Sequence, residues 1–279
     1  MTRELHTLVC LKVVPKSEEV GVDRETNTLD RANARSEINP PDMNALEAAL
    51  ALKDRFGGRV SLMSMGPPFV IPTLRVGLAM GADHAYLLSD RAFGGADTLA
   101  TSLTLARAIE RLGDVDLVLC GEESSDGATA QVPPGIATWM DVPQATYAMD
   151  VDFEPGQRHL VVTREVRDGE EVLDVPLPAV VSVKVSCNEP RFMDAARFAL
   201  LDSEASVTTW TADDLGVDPE HLGLAGSPTS VAGLKEAAQA SGRRREMVSG
   251  TPEEEGRILY DRIVEFLRGA GARGQEAPG

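Results

Sequence analysis

The 279-residue chain carries 27 Lys and Arg against 44 Asp and Glu, a formal charge of -17, which repels nucleic-acid backbones and anionic lipid and argues against both partner classes. Its length suffices for one large α/β domain, or for a domain with a smaller appendage. Three cysteines, Cys10, Cys120 and Cys187, share no CxxC spacing. They indicate neither a disulfide framework nor a zinc knuckle, and a reducing compartment is the natural reading. The first apolar run, Leu8 to Val14, is too brief for a signal or a membrane span, so the expectation is a cytoplasmic protein without direct membrane insertion.

Short apolar runs recur at Leu8 to Val14, Val60 to Met65, Ala85 to Leu88 and Leu117 to Cys120, each closing in Gly, Pro, Ser or Asp. Segments of helical period lie between them: PDMNALEAALALKDRFGG, FVIPTLRVGLAMGA and ADTLATSLTLARAIERLGD. The first places Ala45, Leu46, Ala49 and Leu50 on one stripe and stops at Gly57-Gly58. The β-α-β-α-β-α-β order predicts an α/β fold, a parallel sheet flanked by helices. After Pro143, TYAMDVDF, HLVVTREVRDGEEVLDV and LPAVVSVKV read as an antiparallel excursion and a return strand, with a hairpin turn at Asp168-Gly169. From Asn188 strand signals thin out. GLAGSPTS and the basic triplet Arg243 to Arg245 precede a final helix, in which Thr251 and Glu254 form a capping box and Leu259, Ile263, Phe266 and Leu267 a stripe. The expected division is an α/β domain over 1–190 and a partner-gripping arm over 191–279.

In open α/β sheets ligands bind at the carboxyl ends of the strands. The loops of interest are therefore KVVPK, SMGPP, SDRAFGGADT and DLVLCGEESSDGATAQVPPG. Glycines let a backbone approach a ligand, and ADT and DGAT precede helix starts, where N-H groups suit a phosphate. Nothing matches GxGxxG or GxxxxGK[ST]. Spacing alone leaves two readings open, a nucleotide cradle and plain turn chemistry. Asp97 and Asp126 stand where an acid or base could act, yet such positions more commonly cap helices or form turns. Cys10 and Cys120 read as small hydrophobes. The four histidines share no metal-ligand spacing, and no catalytic residue is indicated.

Together, VCLKVVP, INPPDMNALEAALALK, GPP with LAMGADHAYLLSD, GADTLATS, DLVLCGEESSDGATAQV and LPAVVSVKVSCNEPRF, in that order, resemble the beta subunit of electron transfer flavoproteins over nearly the whole chain. GADTLATS, SDGATAQV and GLAGSPTS look like the bifurcating and nitrogen-fixation-associated branch. The resemblance implies a Rossmann-like domain of the adenine-nucleotide-binding superfamily and an alpha-subunit partner carrying the electron-transferring FAD. It also implies a second nucleotide in this subunit, FAD by preference with AMP as the alternative. Carried over by position, the nucleotide site comprises Cys10, Asn39, Pro40, Asp42, Met65, Gly66, Asp97, Thr98, Gly121, Glu122, Ser125, Asp126, Gly127, Ala128, Thr129, Ala130, Gln131 and Val132. No metal is implied.

The implied function is electron carriage between dehydrogenases, those of fatty acid beta-oxidation among them, and a quinone oxidoreductase or similar acceptor, or a ferredoxin/NADH-linked one. The subunit is then an electron carrier rather than an enzyme, with a part in bifurcation from NADH if it holds FAD. The alternative is a non-redox, structural or sensory AMP-binding subunit. Two departures stand out. The family commonly reads DGDTGQVGP where this chain has DGATAQVPP, so Ala128, Ala130 and Pro133 replace a carboxylate, a glycine and an N-H donor. The partner-recognition loop after NEPR lacks lysine; its apolar candidates are Phe198, Leu200 and Leu201, which could anchor a partner or pack as a helix stripe.

Overall fold

A computed structural model describes residues 4–15, 22–23, 28–29, 36–156, 158–201, 206–230 and 248–273. The chain divides into two compact units, Met1–Leu234 and Lys235–Gly279. In the first unit the strands are β1 (His6–Cys10), β2 (Val13–Pro15), β3 (Val22–Asp23), β4 (Thr28–Leu29), β5 (Ser36–Ile38), β6 (Arg59–Met65), β7 (His84–Leu88), β8 (Leu117–Gly121), β9 (Gln144–Glu154), β10 (His159–Val166), β11 (Gly169–Pro176), β12 (Ala179–Val183) and β13 (Thr208–Trp210). The helices are α1 (Pro40–Phe56), α2 (Ile71–Met80), α3 (Thr98–Leu112), α4 (Val132–Met140), α5 (Ala195–Leu200) and α6 (Ala212–Leu215).

Nine strands form one sheet in the order β11-β10-β9-β12-β8-β1-β6-β7-β13. From β9 to β13 all neighbours are parallel; β10 and β11 add the antiparallel excursion. The two-residue turn between Val166 and Gly169 falls where the alternation predicted it. Two further ribbons are antiparallel, β2-β5 and β3-β4.

The central strands are mostly apolar, without regular polar alternation, because both faces are covered. Every residue of β1, β8 and β12 is buried. Alternation divides the core. Val9, Leu62 and Leu119 pack with α1 and α2 residues such as Leu46, Leu50 and Leu74. Leu8, Met63 and Val118 pack on the other face with Leu105, Ile109 and Ile136 of α3 and α4.

The structure adds elements that sequence pattern does not show. The run Leu8 to Val14 is broken at Leu11-Lys12, where β1 ends and β2 turns away to pair with β5. α4 begins in QVPPG, a string that reads as loop; its prolines occupy the first turn, where a missing N-H costs nothing. Residues 206–230 contribute β13, which extends the sheet beside β7, together with α6.

At the amino end of the parallel strands the polar groups are mutually satisfied. Buried His6 faces Ser61 Oγ through Nε2 (2.8 Å) and Asp114 Oδ1 through Nδ1 (3.1 Å). Arg59 pairs with Asp114, and Arg158 with Asp116 Oδ1 at 2.5 Å. Asp116 Oδ2 also accepts from the His6 N-H (2.9 Å). Burial, with the nearby Arg59 charge, lowers the His6 pKa against the opposing pull of Asp114.

The second unit is described over residues 248–273, which hold α7 (Pro252–Arg273). Its capping box forms as expected: the Thr251 N-H donates to Glu254 Oε2 (3.0 Å) and the Glu254 N-H to Thr251 Oγ1 (3.4 Å). Leu259, Ile263 and Phe266 are exposed. The side chain of Leu267 and the triplet 243–245 lie outside the described residues. No helix among the described residues is long and apolar enough to cross a membrane.

Candidate functional site

The carboxyl ends of β8, β1 and β6 lie side by side, and the amino end of α1 is driven against them. The contact is so close that only glycine fits at 121. A methyl group there would lie 2.4 Å from Asp42 Oδ1 and 2.7 Å from Pro41 Cβ. Pro40 and Pro41 open α1, and the buried side chains of Asn39 and Asp42 point back into the strand-end loops. Asp42 joins two of them: Oδ2 accepts from the Lys12 N-H (2.6 Å) and Oδ1 from the Gly121 N-H (2.9 Å). Burial pushes its pKa up to about 7, against the pull of these N-H donors.

Asn39 fixes the loop that follows β8. Its Nδ2 donates to Glu123 O (2.8 Å), its Oδ1 accepts from Ser125 N-H (3.0 Å), and its own N-H donates to Lys12 O (2.9 Å). The loop continues the β8-β12 ladder at Glu122, whose N-H donates to Val183 O. It then turns tightly, with the Gly127 and Ala128 N-H groups both donating to Ser124 O (3.2 and 2.7 Å). Burial raises the Glu122 pKa, with nearby Lys184 opposing.

Ala128 and Ala130 adopt left-handed backbone, φ 46° and 54°. An L-residue in that region costs about 1–2 kcal/mol, and strain of this kind concentrates at ligand clamps. Successive N-H groups in such turns form concavities that suit anions. Among the described residues, no protein acceptor faces the N-H groups of Thr129 and Ala130. Ala128 and Ala130 are two of the three positions, with Pro133, at which the sequence departs from the resembled pattern. The glycine usual at 130 suits the observed φ, and alanine holds the same shape under strain.

The helix starts flanking the loop are unequal. At α3, Asp97 is the cap: Oδ1 accepts from Leu99 and Ala100 N-H (2.9 and 3.1 Å), and Oδ2 from Thr229 N-H and Oγ1 (3.1 and 2.7 Å). Burial opposes ionisation, but these bonds hold Asp97 below the usual carboxylate range. The Asp97 N-H donates to Ser227 Oγ (2.8 Å), so GLAGSPTS docks on this end of α3. A carboxylate therefore already occupies that helix terminus. At α4, Pro133 and Pro134 lack N-H groups, leaving Val132 as the one donor among the first three residues. Thr98 Oγ1 donates to Gln131 Oε1 (2.9 Å), tying the two helix starts together.

Met65 and Gly66 lie at the end of β6, where Gly66 N-H donates to Leu88 O (3.0 Å). One residue earlier, the buried Ser64 hydroxyl has no protein partner. Cys10 and Cys120 are buried on neighbouring strands; the Cys10 side chain, together with burial, pushes the Cys120 thiol well up, so it stays protonated as a small hydrophobe does. Among the described residues no cluster of His, Cys, Asp and Glu is placed to hold a metal ion.

Sequence reasoning passed over Lys12. It sits just past the end of β1, and its Nζ donates to Asp126 Oδ1 (2.5 Å) and Ser124 Oγ (3.1 Å). Its place in a strand-end loop was the available signal. The apolar candidates after NEPR diverge: Phe198 stacks under the Arg75 guanidinium (4.7 Å), Leu201 packs on the core, and Leu200 is exposed.

Fold and site together define an open α/β protein whose loops converge at the carboxyl ends of its central parallel strands, where ligands of such sheets bind. Residues 26–215 match the electron transfer flavoprotein domain. The chain is 45% identical over 254 residues to the caffeyl-CoA reductase-Etf complex subunit CarD of Acetobacterium woodii, covering 90% of this chain and 94% of that one. It is 42% identical over 259 residues to the electron transfer flavoprotein subunit beta of Thermoanaerobacterium thermosaccharolyticum, covering 93% and 98%. It is also 42% identical over 233 residues to protein FixA of Azorhizobium caulinodans, covering 81% of each. The chain belongs to the electron transfer flavoprotein family, among its beta subunits and their CarD and FixA relatives.

Proposed function

We propose that this chain is the beta subunit of a heterodimeric electron transfer flavoprotein and that the loop 122–132 cradles the phosphates of an adenine nucleotide. The observation carrying the reading is the pair of left-handed residues, Ala128 and Ala130, with the open N-H groups of Thr129 and Ala130 between pins at Asn39 and Gln131. Alanine is costlier in this backbone region than the glycine, asparagine or aspartate a plain turn favours, which supports a shape kept for a ligand.

FAD is the preferred guest, with Thr129 and Gln131 donating from one side and the strand ends at Cys10 and Met65 forming the floor. Bound there, FAD supplies one- and two-electron redox chemistry, and the heterodimer then holds two flavins, as bifurcation from NADH requires. The protein's contribution is to fix the pyrophosphate and set the charge around it. AMP is the second reading. The scarcity of N-H donors at the start of α4 favours it, because one phosphate needs fewer donors than two. The partners in this reading are the alpha subunit, a dehydrogenase that docks on the surface around Phe192 and Leu200, and a quinone-linked or ferredoxin/NADH-linked acceptor. Both side chains stand clear in solvent, at 98% and 85% exposure.

The test is to denature the co-purified heterodimer and quantify the nucleotides released. Two FAD per heterodimer is the expected result. One FAD and one AMP would remove bifurcation and leave the cradle; one FAD alone would remove the nucleotide from this subunit.

A further inference from the structure

The cradle has a charge problem. Glu122, Glu123 and Asp126 belong to the loop, while α3 has its amino end capped by Asp97 and α4 offers one N-H in its first three residues. A phosphate entering this loop needs a cation close by.

Lys12 stands there. Its backbone is fixed at both ends, the N-H donating to Asp42 Oδ2 (2.6 Å) and the carbonyl accepting from Asn39 N-H (2.9 Å). The side chain therefore springs from the same pins that shape the loop. The ammonium bonds Asp126 and Ser124 and lies 4.0 Å from where a methyl group on Gly127 would be, which puts it against the apex of the turn. Lys12 is half exposed and Asp126 is buried (47% and 8% of the side chain), so the lysine stays accessible from solvent beside the carboxylate that anchors it. An ammonium has three donors, and two are in use. Lys184, the cation near Glu122 (3.9 Å), is engaged with Glu165.

We propose that Lys12 is the phosphate-binding cation of the cradle: Asp126 and Ser124 position its ammonium, and the third N-H meets a phosphate oxygen of the nucleotide. This inference rests on the cradle reading and adds to it the residue that recognises charge. It also separates two parts of the ligand. Lys12 acts on phosphate and leaves the adenosine half to the rest of the site.

The experiment uses the full heterodimer stripped of nucleotide, with AMP and adenosine as calorimetric probes. Lys12→Met should weaken AMP about tenfold or more, the loss of one charge-assisted bond, and leave adenosine unchanged. Lys12→Arg should keep most of the AMP affinity. Wild-type AMP binding should weaken with added salt more steeply than that of Lys12→Met, since only the wild type pairs a cation with the phosphate. Equal losses for AMP and adenosine, or equal salt slopes, would overturn the proposal by reducing Lys12 to a prop for the loop. A wild-type protein that binds neither probe would sink the cradle reading itself, and this inference with it.

Discussion

The two ends of the same parallel strands are built on opposite rules. At the amino end His6, Ser61, Arg59, Asp114, Asp116 and Arg158 satisfy one another, and the one left-handed residue among them, Arg158 (φ 55°), has its guanidinium paired with Asp116. At the carboxyl end two alanines are left-handed, the Thr129 and Ala130 N-H groups meet no acceptor among the described residues, and the Asp42 carboxyl group is buried between N-H donors. The first arrangement secures the fold. The second leaves N-H donors open beside a buried carboxyl group, and that contrast is what motivates the cradle reading.

Substitutions can break the comparison. Gly121→Ala should have the largest effect, because its methyl group would meet Asp42 Oδ1, Pro41 Cβ and the Asp42 backbone nitrogen at 2.4, 2.7 and 2.8 Å. Displacing the start of α1 should cost about 3 kcal/mol in denaturant unfolding and abolish nucleotide binding. Asn39→Ala should follow, at about 2 kcal/mol, because it leaves Ser125 N-H and Glu123 O unpaired. Ala130→Gly should work the other way and stabilise by about 1 kcal/mol, since glycine adopts φ 54° without strain. Gain at Ala130 paired with loss for Ala137→Gly, inside α4, would show that the backbone angle is the cause. At the amino end Asp114→Asn should cost under about 1 kcal/mol, its ion pair being half exposed.

For pH the two ends predict opposite signs. Asp42, raised from 3.8 to about 7, holds a proton in the folded state that the unfolded chain has released, so stability falls as pH rises across that window. His6 has its pKa lowered from 6.5; its contribution is present above 6.5 and lost as pH falls below it. Unfolding titrations should lose the first slope in Asp42→Asn and the second in His6→Gln.

Much of this was legible in the residues. Continuous apolar runs announced the central strands, because strands covered on both faces need no polar alternation. The strand-end loops followed from sheet topology. What was hidden has physical reasons. α4 opens on Pro133 and Pro134, which read as loop because proline suits both. The left-handed angles at 128 and 130 carry no signal, since alanine is the wrong residue to announce them. Asp97 was weighed as acid or cap and is a cap, yet its bonds to Ser227 and Thr229 span some 130 residues, beyond any local pattern. Lys12 lay in a loop already singled out, but its ammonium meets Asp126 only once the strands align.

The most direct test is amide hydrogen exchange of the full heterodimer with and without added adenine nucleotide. The account predicts slowed exchange across 122–132, centred on Thr129 and Ala130, and no change at residues 113–118 at the amino end. Unchanged exchange at 122–132 under saturating nucleotide would contradict it.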